Sequence, residues 1–304
     1  MSKKSEYYSP PEEVGCMKFL WDSDTSQCLG RTGGSWAKIL CFYVIFYAAL
    51  SGFFAAIFAV FYQTLEMDKP KWILDKGLIG SNPGLGFRPM PPEEHLESTL
   101  VWYDRNQPVG YWVDEITKFL EEYKELNPKN RVECSFQKPP QKGQVCYVEF
   151  DEVFDRCTPQ YEYGFSKGTP CIFLKLNKIY DWMPEIYNDS KSLPSHMPEG
   201  LVHHITERGN VRPNDTSLVW VSCEGENPAD RENIRAINYY PQMGFPAYYF
   251  PFNNVDGYIP PLVAVQFDVQ TGSLINIECK AWAKNIVHDR ADRRGSVHFE
   301  LMID

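Results

Sequence analysis

Cysteine is the residue type in this chain whose spacing suggests the clearest chemistry. The 304 residues include nine cysteines, and six of them follow a long apolar segment: Cys134, Cys146, Cys157, Cys171, Cys223 and Cys279. An even number of cysteines in an oxidising compartment is typical of a disulfide framework. The chain contains no Cys-x-x-Cys pair, which argues against a metal site built from these thiols.

Six cysteines allow fifteen connectivities, and we favour nearest-neighbour closure. This closure pairs Cys134 with Cys146, Cys157 with Cys171, and Cys223 with Cys279. The first two bonds close short loops, and the third joins two predicted strands. The other three cysteines are expected to be free thiols: Cys16, Cys28 and Cys41.

The rest of the sequence gives little evidence of a catalytic motif. The sequence contains no Gly-x-Ser-x-Gly, His-Glu-x-x-His or Walker motif. His203 and His204 are adjacent, and neighbouring side chains on a strand point to opposite faces, so we interpret them as surface histidines. Gly84-Leu85-Gly86 lacks the third glycine and the Lys-Ser/Thr of a phosphate cradle. No Asp-x-Asp motif of a glycosyltransferase follows the apolar segment. We therefore expect a non-catalytic protein that has no cofactor and no metal.

The apolar segment itself predicts one membrane-spanning helix. Residues 39–65 contain no charged side chain, and as a helix these 27 residues extend about 40 Å. Bilayer hydrocarbon is roughly 30 Å thick. The segment is longer than the apolar core of a secretory signal and begins after 38 residues, so it is predicted to be an uncleaved signal-anchor.

The orientation of this span follows from the cysteines and the glycosylation sequons, because the positive charges on its two flanks nearly balance. The sequons at Asn188 and Asn214 lie on the same side of the span as the six paired cysteines. The C-terminal part is therefore predicted to be extracellular, which makes the chain a type II membrane protein. All of the net charge of −10 lies beyond residue 38, and this acidic exterior argues against nucleic acid and anionic lipid as partners.

Periodicity divides the rest of the chain. We predict a cytoplasmic tail over 1–38, the transmembrane helix over 39–65, an extended extracellular tether over 66–99 and a β-sandwich or barrel over 100–304. The tether is predicted from the glycines and prolines of Gly77–Pro92. An amphipathic helix is predicted from Trp112 to Leu126. Short strands are predicted around 172–176, 263–269, 275–279 and 297–301 from alternation, and around 218–223 from a continuous apolar run that suits a buried strand.

Two aromatic groups are candidates for binding a partner. In the predicted span, Tyr43, Tyr47, Leu50 and Phe54 lie within about 60° of one another around the helix. Gly52 lies on the opposite side, in a ladder of small residues. In the extracellular part, tyrosines and phenylalanines crowd the proline-punctuated stretch from Tyr239 to Phe252, which has neither strand nor helix periodicity.

Several motifs resemble those of P-type ATPase β subunits. Phe19-Leu20-Trp21-Asp22 and Leu29-Gly30-Arg31-Thr32 are similar to the cytoplasmic signature of that family, and Phe42-Tyr43-Val44-Ile45-Phe46-Tyr47 is similar to its membrane motif. Further similar blocks are Tyr163-Gly164-Phe165 through Lys178-Ile179, Glu232-Asn233-Ile234, Tyr239-Tyr240-Pro241, Tyr248-Tyr249-Phe250-Pro251, Pro261 through Phe267, and Glu278-Cys279-Lys280-Ala281. These blocks occur in the family order over most of 19–300, so the chain resembles the sodium/potassium type.

The resemblance implies a non-catalytic subunit with an immunoglobulin-like extracellular sandwich at the plasma membrane. Its partner would be the catalytic α subunit, which holds the ATP site and the ion path. The β subunit would stabilise and traffic α and would tune potassium affinity. A small single-span regulatory subunit and membrane lipid are further implied partners. The implied α contacts are Tyr43, Phe46 and Tyr47 in the membrane and Tyr240, Tyr248 and Tyr249 outside it.

The chain departs from the family pattern in two places, and two other functions stay open. Thr158-Pro159 follows Cys157 where the family usually has Ser-Gly, and the loop from Cys134 to Cys146 is short. Two sequons are few for the β subunit of a proton/potassium pump, which is one alternative. The other alternative is a cell-adhesion or junction glycoprotein that has the same architecture but acts without the pump.

Overall fold

The computed structural model describes residues 20–23, 25–95, 98–124, 130–147, 154–187, 192–211 and 217–304. The chain forms two compact units, Met1–Asp68 and Lys69–Asp304. Each unit is described by itself.

The first unit is dominated by one long helix, α1 (Gly33–Gln63), in which no residue is buried. Among the described residues it is the one helix that is long and apolar enough to cross a membrane, so the prediction of a single apolar span is confirmed. The helix begins six residues before the predicted 39–65 and ends two residues before its end. At its C-terminal end, Thr64 N donates to Phe61 O over 2.9 Å and closes the last turn.

A small three-stranded sheet precedes α1, and the sequence analysis missed it. The strands are β1 (Trp21–Asp22), β2 (Gln27–Cys28) and β3 (Arg31–Thr32), with β2 in the middle. The indole Nε1 of Trp36, in the first turns of α1, donates to Cys28 O over 2.8 Å. Strands of two residues are too short to show a periodicity of two.

The second unit is built on two β-sheets. The four-stranded sheet has the order β10-β12-β8-β4, all antiparallel, and its strands are β4 (Leu85–Arg88), β8 (Cys171–Leu176), β10 (Ile234–Tyr240) and β12 (Leu262–Val269). The five-stranded sheet has the order β11-β9-β13-β14-β5, and its strands are β5 (Leu100–Tyr103), β9 (Leu218–Gly225), β11 (Gly244–Pro246), β13 (Ile275–Trp282) and β14 (Ser296–Ile303). A separate parallel pair is formed by β6 (Arg131–Glu133) and β7 (Val145–Tyr147).

The two sheets pack face to face. Phe299 of β14 lies between two rings of the other sheet, with its centroid 5.0 Å from that of Phe87 on β4 and 5.7 Å from that of Phe267 on β12. All three side chains are buried. The predicted β-sandwich is therefore confirmed, and each strand that was predicted from alternation lies in one of its sheets.

The described part of the unit also contains three α-helices: α2 (Gly110–Lys124), α3 (Glu199–Val211) and the single-turn α4 (Pro228–Glu232). The predicted amphipathic helix is confirmed as α2, whose buried face carries Trp112, Ile116, Leu120 and Tyr123. The sequence analysis missed α3, which buries Leu201 and Ile205 against Trp220 and Trp282 in a second apolar cluster. Short 3-10 helices occur at Leu74–Lys76, Glu93–His95, Pro159–Lys167 and Ala247–Tyr249.

The extended tether predicted over 66–99 is wrong in its C-terminal part. Residues Leu85–Arg88 form β4, an edge strand in which Leu85 and Phe87 are buried. Pro83 and Pro89 flank this strand without interrupting it, and the carbonyl of Gly84 still accepts a hydrogen bond from Asn177 N over 2.9 Å. A proline outside the ladder removes none of its donors.

Among the described cysteines there are three disulfides, and they join the pairs that nearest-neighbour closure predicts. Cys134–Cys146 connects the β6–β7 pair, and Cys157–Cys171 ties the loop before β8 to that strand. Cys223–Cys279 links two residues that lie directly opposite each other on β9 and β13. Cys28 and Cys41 are free thiols, whereas Cys16 lies outside the described residues.

We predict that a Cys223→Ser/Cys279→Ser variant loses about 4 kcal/mol of stability, because the bond closes a long loop of the unfolded chain. Thermal unfolding of the full chain in mild detergent measures the loss. A matched Cys28→Ser variant should unfold like the wild type. Non-reducing peptide mapping that joined Cys223 to any other cysteine would contradict the assignment.

Candidate partner-binding surfaces

The aromatic residues predicted to meet a partner in the membrane lie along one side of α1. The rings of Tyr43 and Tyr47, one turn apart, stack with their centroids 5.9 Å apart, and Phe46 packs edge-on to Tyr47 at 5.4 Å. Tyr43 is 49% exposed and Tyr47 57% exposed, because no other described part of this unit covers them. A phenol hydroxyl in hydrocarbon lacks hydrogen-bond partners. These two tyrosines therefore make this side of α1 a candidate protein-binding surface.

The opposite side of α1 carries small residues. A Cβ atom added at Gly52 would meet nothing within 4 Å in this chain. Ala48 and Ala56 lie four residues before and after Gly52, on the same side of the helix. Sides of this kind allow another helix to approach closely in a membrane, so α1 has two distinct sides that could bind helices.

The aromatic stretch from Tyr239 to Phe252 is more ordered than its sequence suggests. Tyr239 and Tyr240 lie on β10, so they point to opposite faces of the sheet. The hydroxyl of Tyr239 accepts a hydrogen bond from Cys223 N over 2.8 Å, which links the two sheets through the interior. Tyr240 is on the other face, where its hydroxyl donates to Gln266 Oε1 over 3.5 Å. Of this pair, Tyr240 alone is placed to meet a partner.

Tyr248 and Tyr249 lie on the 3-10 helix Ala247–Tyr249 and are half-buried. Their ring centroids are 4.9 Å apart, and Tyr248 also packs edge-on against Phe136 at 5.2 Å. Burial raises the pKa of both hydroxyl groups. These contacts give the two tyrosines a packing role within the domain, and the edges that stay exposed are the part available to a partner.

The rest of the aromatic stretch packs on residues that the sequence analysis did not single out. Phe250 meets Trp182 edge-on with centroids 5.4 Å apart, and Phe252 lies 5.0 Å from Tyr258. The ammonium of Lys178 lies over both rings of the second pair, 5.4 Å from Phe252 and 5.6 Å from Tyr258. The stretch is therefore held rigidly against the segment that follows β8. Its signal in the sequence is weak, because Trp182 and Lys178 lie about seventy residues before the stretch, and Tyr258 alone is close to it along the chain.

The remaining predicted residues do not form a site. His203 and His204 lie on α3 rather than on a strand or loop, with His203 exposed beside Glu207 at 3.5 Å and His204 packed on Trp220. Burial lowers the pKa of His204. Over the part of the chain that the structure describes, no group of three or more His, Cys, Asp or Glu side chains could hold a metal. Both sequon asparagines, Asn188 and Asn214, lie outside the described residues.

Comparison with known proteins relates the whole chain to one family. The family described as "Sodium / potassium ATPase beta chain" matches residues 11–299. The chain is 50% identical over 311 residues to sodium/potassium-transporting ATPase subunit beta-2 of Drosophila melanogaster, and the match covers 98% of this chain and 96% of the relative. It is 38% identical to subunit beta-1 of the same organism, with 98% and 96% covered, and 29% identical to human subunit beta-2, with 94% and 93% covered.

We predict that the aromatic stretch separates into packing and surface positions. Tyr248→Ser and Tyr249→Ser should each lower the unfolding temperature, because each leaves a cavity where a large ring was packed. The loss should be on the order of 3 kcal/mol, whereas Tyr240→Ser should cost less than about 1 kcal/mol. Thermal unfolding of the full chain in detergent tests this, and equal losses at the three positions would contradict it.

We also predict a loss of stability at alkaline pH. Burial raises the pKa of several tyrosines, and the largest shifts are those of Tyr103, Tyr123, Tyr239, Tyr249 and Tyr258. A pKa raised in the folded state gives stability that is complete below the unfolded value of about 10 and is lost as pH rises above it. Absorbance at alkaline pH should show these five phenols ionising together with unfolding, after the exposed tyrosines. A single titration near pH 10 without unfolding would contradict this.

Proposed function

The chain belongs to the sodium/potassium ATPase beta-chain family and is a non-catalytic subunit of that kind, and we propose that it stabilises and traffics the catalytic α subunit and tunes its potassium affinity. The observation that carries this proposal is the uncovered tyrosine side of α1. In lipid alone, the hydroxyl groups of the two tyrosines on this apolar helix would have no hydrogen-bond partners. The α subunit would supply those contacts.

The proposed setting is the plasma membrane, with the second unit outside the cell. Three disulfides in that unit support an oxidising compartment for it. The residues before α1 would form the cytoplasmic tail, and a tether shorter than 66–99 would lead to the sandwich. In that compartment Asn188 and Asn214 would be available for N-linked glycosylation.

The proposed contacts with α are of two kinds. Tyr43, Phe46 and Tyr47 would pack on its membrane helices. Outside the membrane, Tyr240 and the exposed edges of Tyr248 and Tyr249 would face its extracellular loops, where aromatic residues are favoured at the centre of an interface. The small-residue side of α1, around Gly52, would be left for lipid or for a small single-span subunit.

A Tyr43→Leu/Tyr47→Leu variant tests the membrane contact. We expect it to express and fold but to change the potassium concentration at half-maximal transport by about two- to tenfold, which corresponds to the loss of about 1 kcal/mol of helix–helix contact. Rubidium uptake by cells that express the chain with its α subunit measures this.

The matched control is Tyr62→Leu, which replaces one tyrosine in the same way about 80° away around the helix, on the side opposite Phe46. This control should leave the potassium dependence unchanged. Unchanged kinetics in the Tyr43→Leu/Tyr47→Leu variant, or an equal change in the control, would count against the assigned side. Recovery of no stoichiometric α subunit with the wild-type chain from mild detergent would overturn the proposed function itself.

A further inference from the structure

One feature that the proposed contacts leave unexplained is a cavity of about 140 Å³ on the four-stranded sheet. Its floor is formed by two cross-strand pairs of β10 and β12, Ala236 opposite Asp268 and Asn238 opposite Gln266. Its wall is the loop that the Cys157–Cys171 disulfide closes, together with Arg156 beside it. This cavity is called the basic pocket below.

The wall of the basic pocket is held in place before any ligand arrives. Tyr163 and Phe165 are fully buried on either side of Gly164, and the hydroxyl of Tyr163 lies 3.2 Å from that of Thr117 on α2. Gly164 has a φ of +78°, and a Cβ atom there would come 2.0 Å from Thr169 O. Only glycine fits this approach. A wall anchored in the core loses little conformational entropy when a ligand binds.

The basic pocket is lined mainly by positive charge, whereas the domain around it has a net negative charge. Arg156 and Lys167 both line it, and the ammonium of Lys167 lies 5.1 Å from the ring of Tyr161. Asp268 is the one carboxylate among the described lining residues, and Arg235 neutralises it at 3.6 Å. The residues beyond the span carry the whole net charge of −10. A basic concavity in an acidic domain focuses an anion at that point.

The floor connects the pocket to the proposed partner surface. Gln266 is 6% exposed, and its Nε2 donates to Thr169 O over 3.2 Å and to Thr169 Oγ1 over 3.3 Å. Its Oε1 accepts from Tyr240, which the proposed function places against the α subunit. A ligand in the pocket would therefore lie beside that contact.

We propose that the basic pocket binds the carboxylate of an aspartate or glutamate side chain from an extracellular loop of the catalytic subunit. The inference rests on the proposed function and adds the chemistry of one contact to it. A guanidinium donates two parallel hydrogen bonds to a carboxylate, and an ammonium adds a point charge. Arg156 and Lys167 together provide this pair, and the cavity has room for the head of such a side chain.

A carbodiimide applied to the detergent-solubilised complex tests the contact directly. The reagent condenses a lysine amine with a carboxylate that touches it, forming an amide while the carbodiimide becomes its urea. We expect mass spectrometry to find Lys167 joined to an acidic residue of the catalytic subunit. Lys167→Arg should retain the complex and lose this crosslink, because the guanidinium keeps the charge but does not form the amide.

Charge reversal provides the second arm. Arg156→Glu/Lys167→Glu should lower recovery of the catalytic subunit on the order of tenfold at moderate salt, since the carboxylate would then face like charges. The matched control is Lys118→Glu/Lys124→Glu, which makes the same charge change at exposed positions of α2 and should recover the subunit in full. Unfolding temperature and non-reducing electrophoresis establish that both variants are folded.

The outcomes separate this inference from the function on which it rests. A Lys167 crosslink to a second copy of this chain would overturn it, as would an intact complex without a Lys167 crosslink. Equal recovery for charge reversal and control would also overturn it. In each of these cases recovery of the catalytic subunit with the wild-type chain would still support the proposed function. Failure of the wild-type chain to bind that subunit would overturn both.

Discussion

The contact between the two sheets is the interaction on which the second unit depends. Phe299 packs between Phe87 and Phe267, and around these rings the inward side chains of both sheets are removed from water. Burial of apolar surface is the main favourable term in folding, so the inward residues set which strands pair and in which register. The outer faces and connecting loops are not constrained by this packing, so their side chains can bind a partner.

Two loop segments on the outside of the sandwich are held in place by contacts with the domain. The Cys157–Cys171 bond and the buried Tyr163 and Phe165 hold one loop over the outer face of β10 and β12. The 248–252 stretch is held in a comparable way, by ring contacts with Trp182 and Tyr258. Both segments are irregular in backbone yet fixed in place, which allows an irregular surface to bind without a large entropic cost.

The membrane unit follows a different physical rule. None of the residues of α1 is buried, so the chain itself does not cover its apolar surface. Lipid solvates leucine and phenylalanine as well as a protein interior does, but it offers no partner to the hydroxyl groups of Tyr43 and Tyr47. The second unit therefore buries its apolar side chains in its own core. The first unit leaves the apolar surface of α1 to be covered by lipid or by another protein.

The sequence alone determined the features that depend on local pattern. These are the uncharged span, the amphipathic α2, the alternating strands of both sheets and the family, since each is a property of a continuous stretch of residues. Nearest-neighbour disulfide pairing was also predicted from the sequence, because two of the bonds close short loops and the third joins two predicted strands.

Tertiary structure alone decided the rest. Leu85–Arg88 became a strand because β8 supplied its hydrogen-bond partners, although its flanking prolines suggested a tether. Because adjacent side chains on β10 point to opposite faces, Tyr239 forms a hydrogen bond in the interior and Tyr240 lies on the outer face. The basic pocket joins Arg156 and Lys167 to Gln266 across about a hundred residues of chain. No local pattern encodes such a juxtaposition, because it exists only after the two sheets have packed and the disulfide loop has closed over one of them.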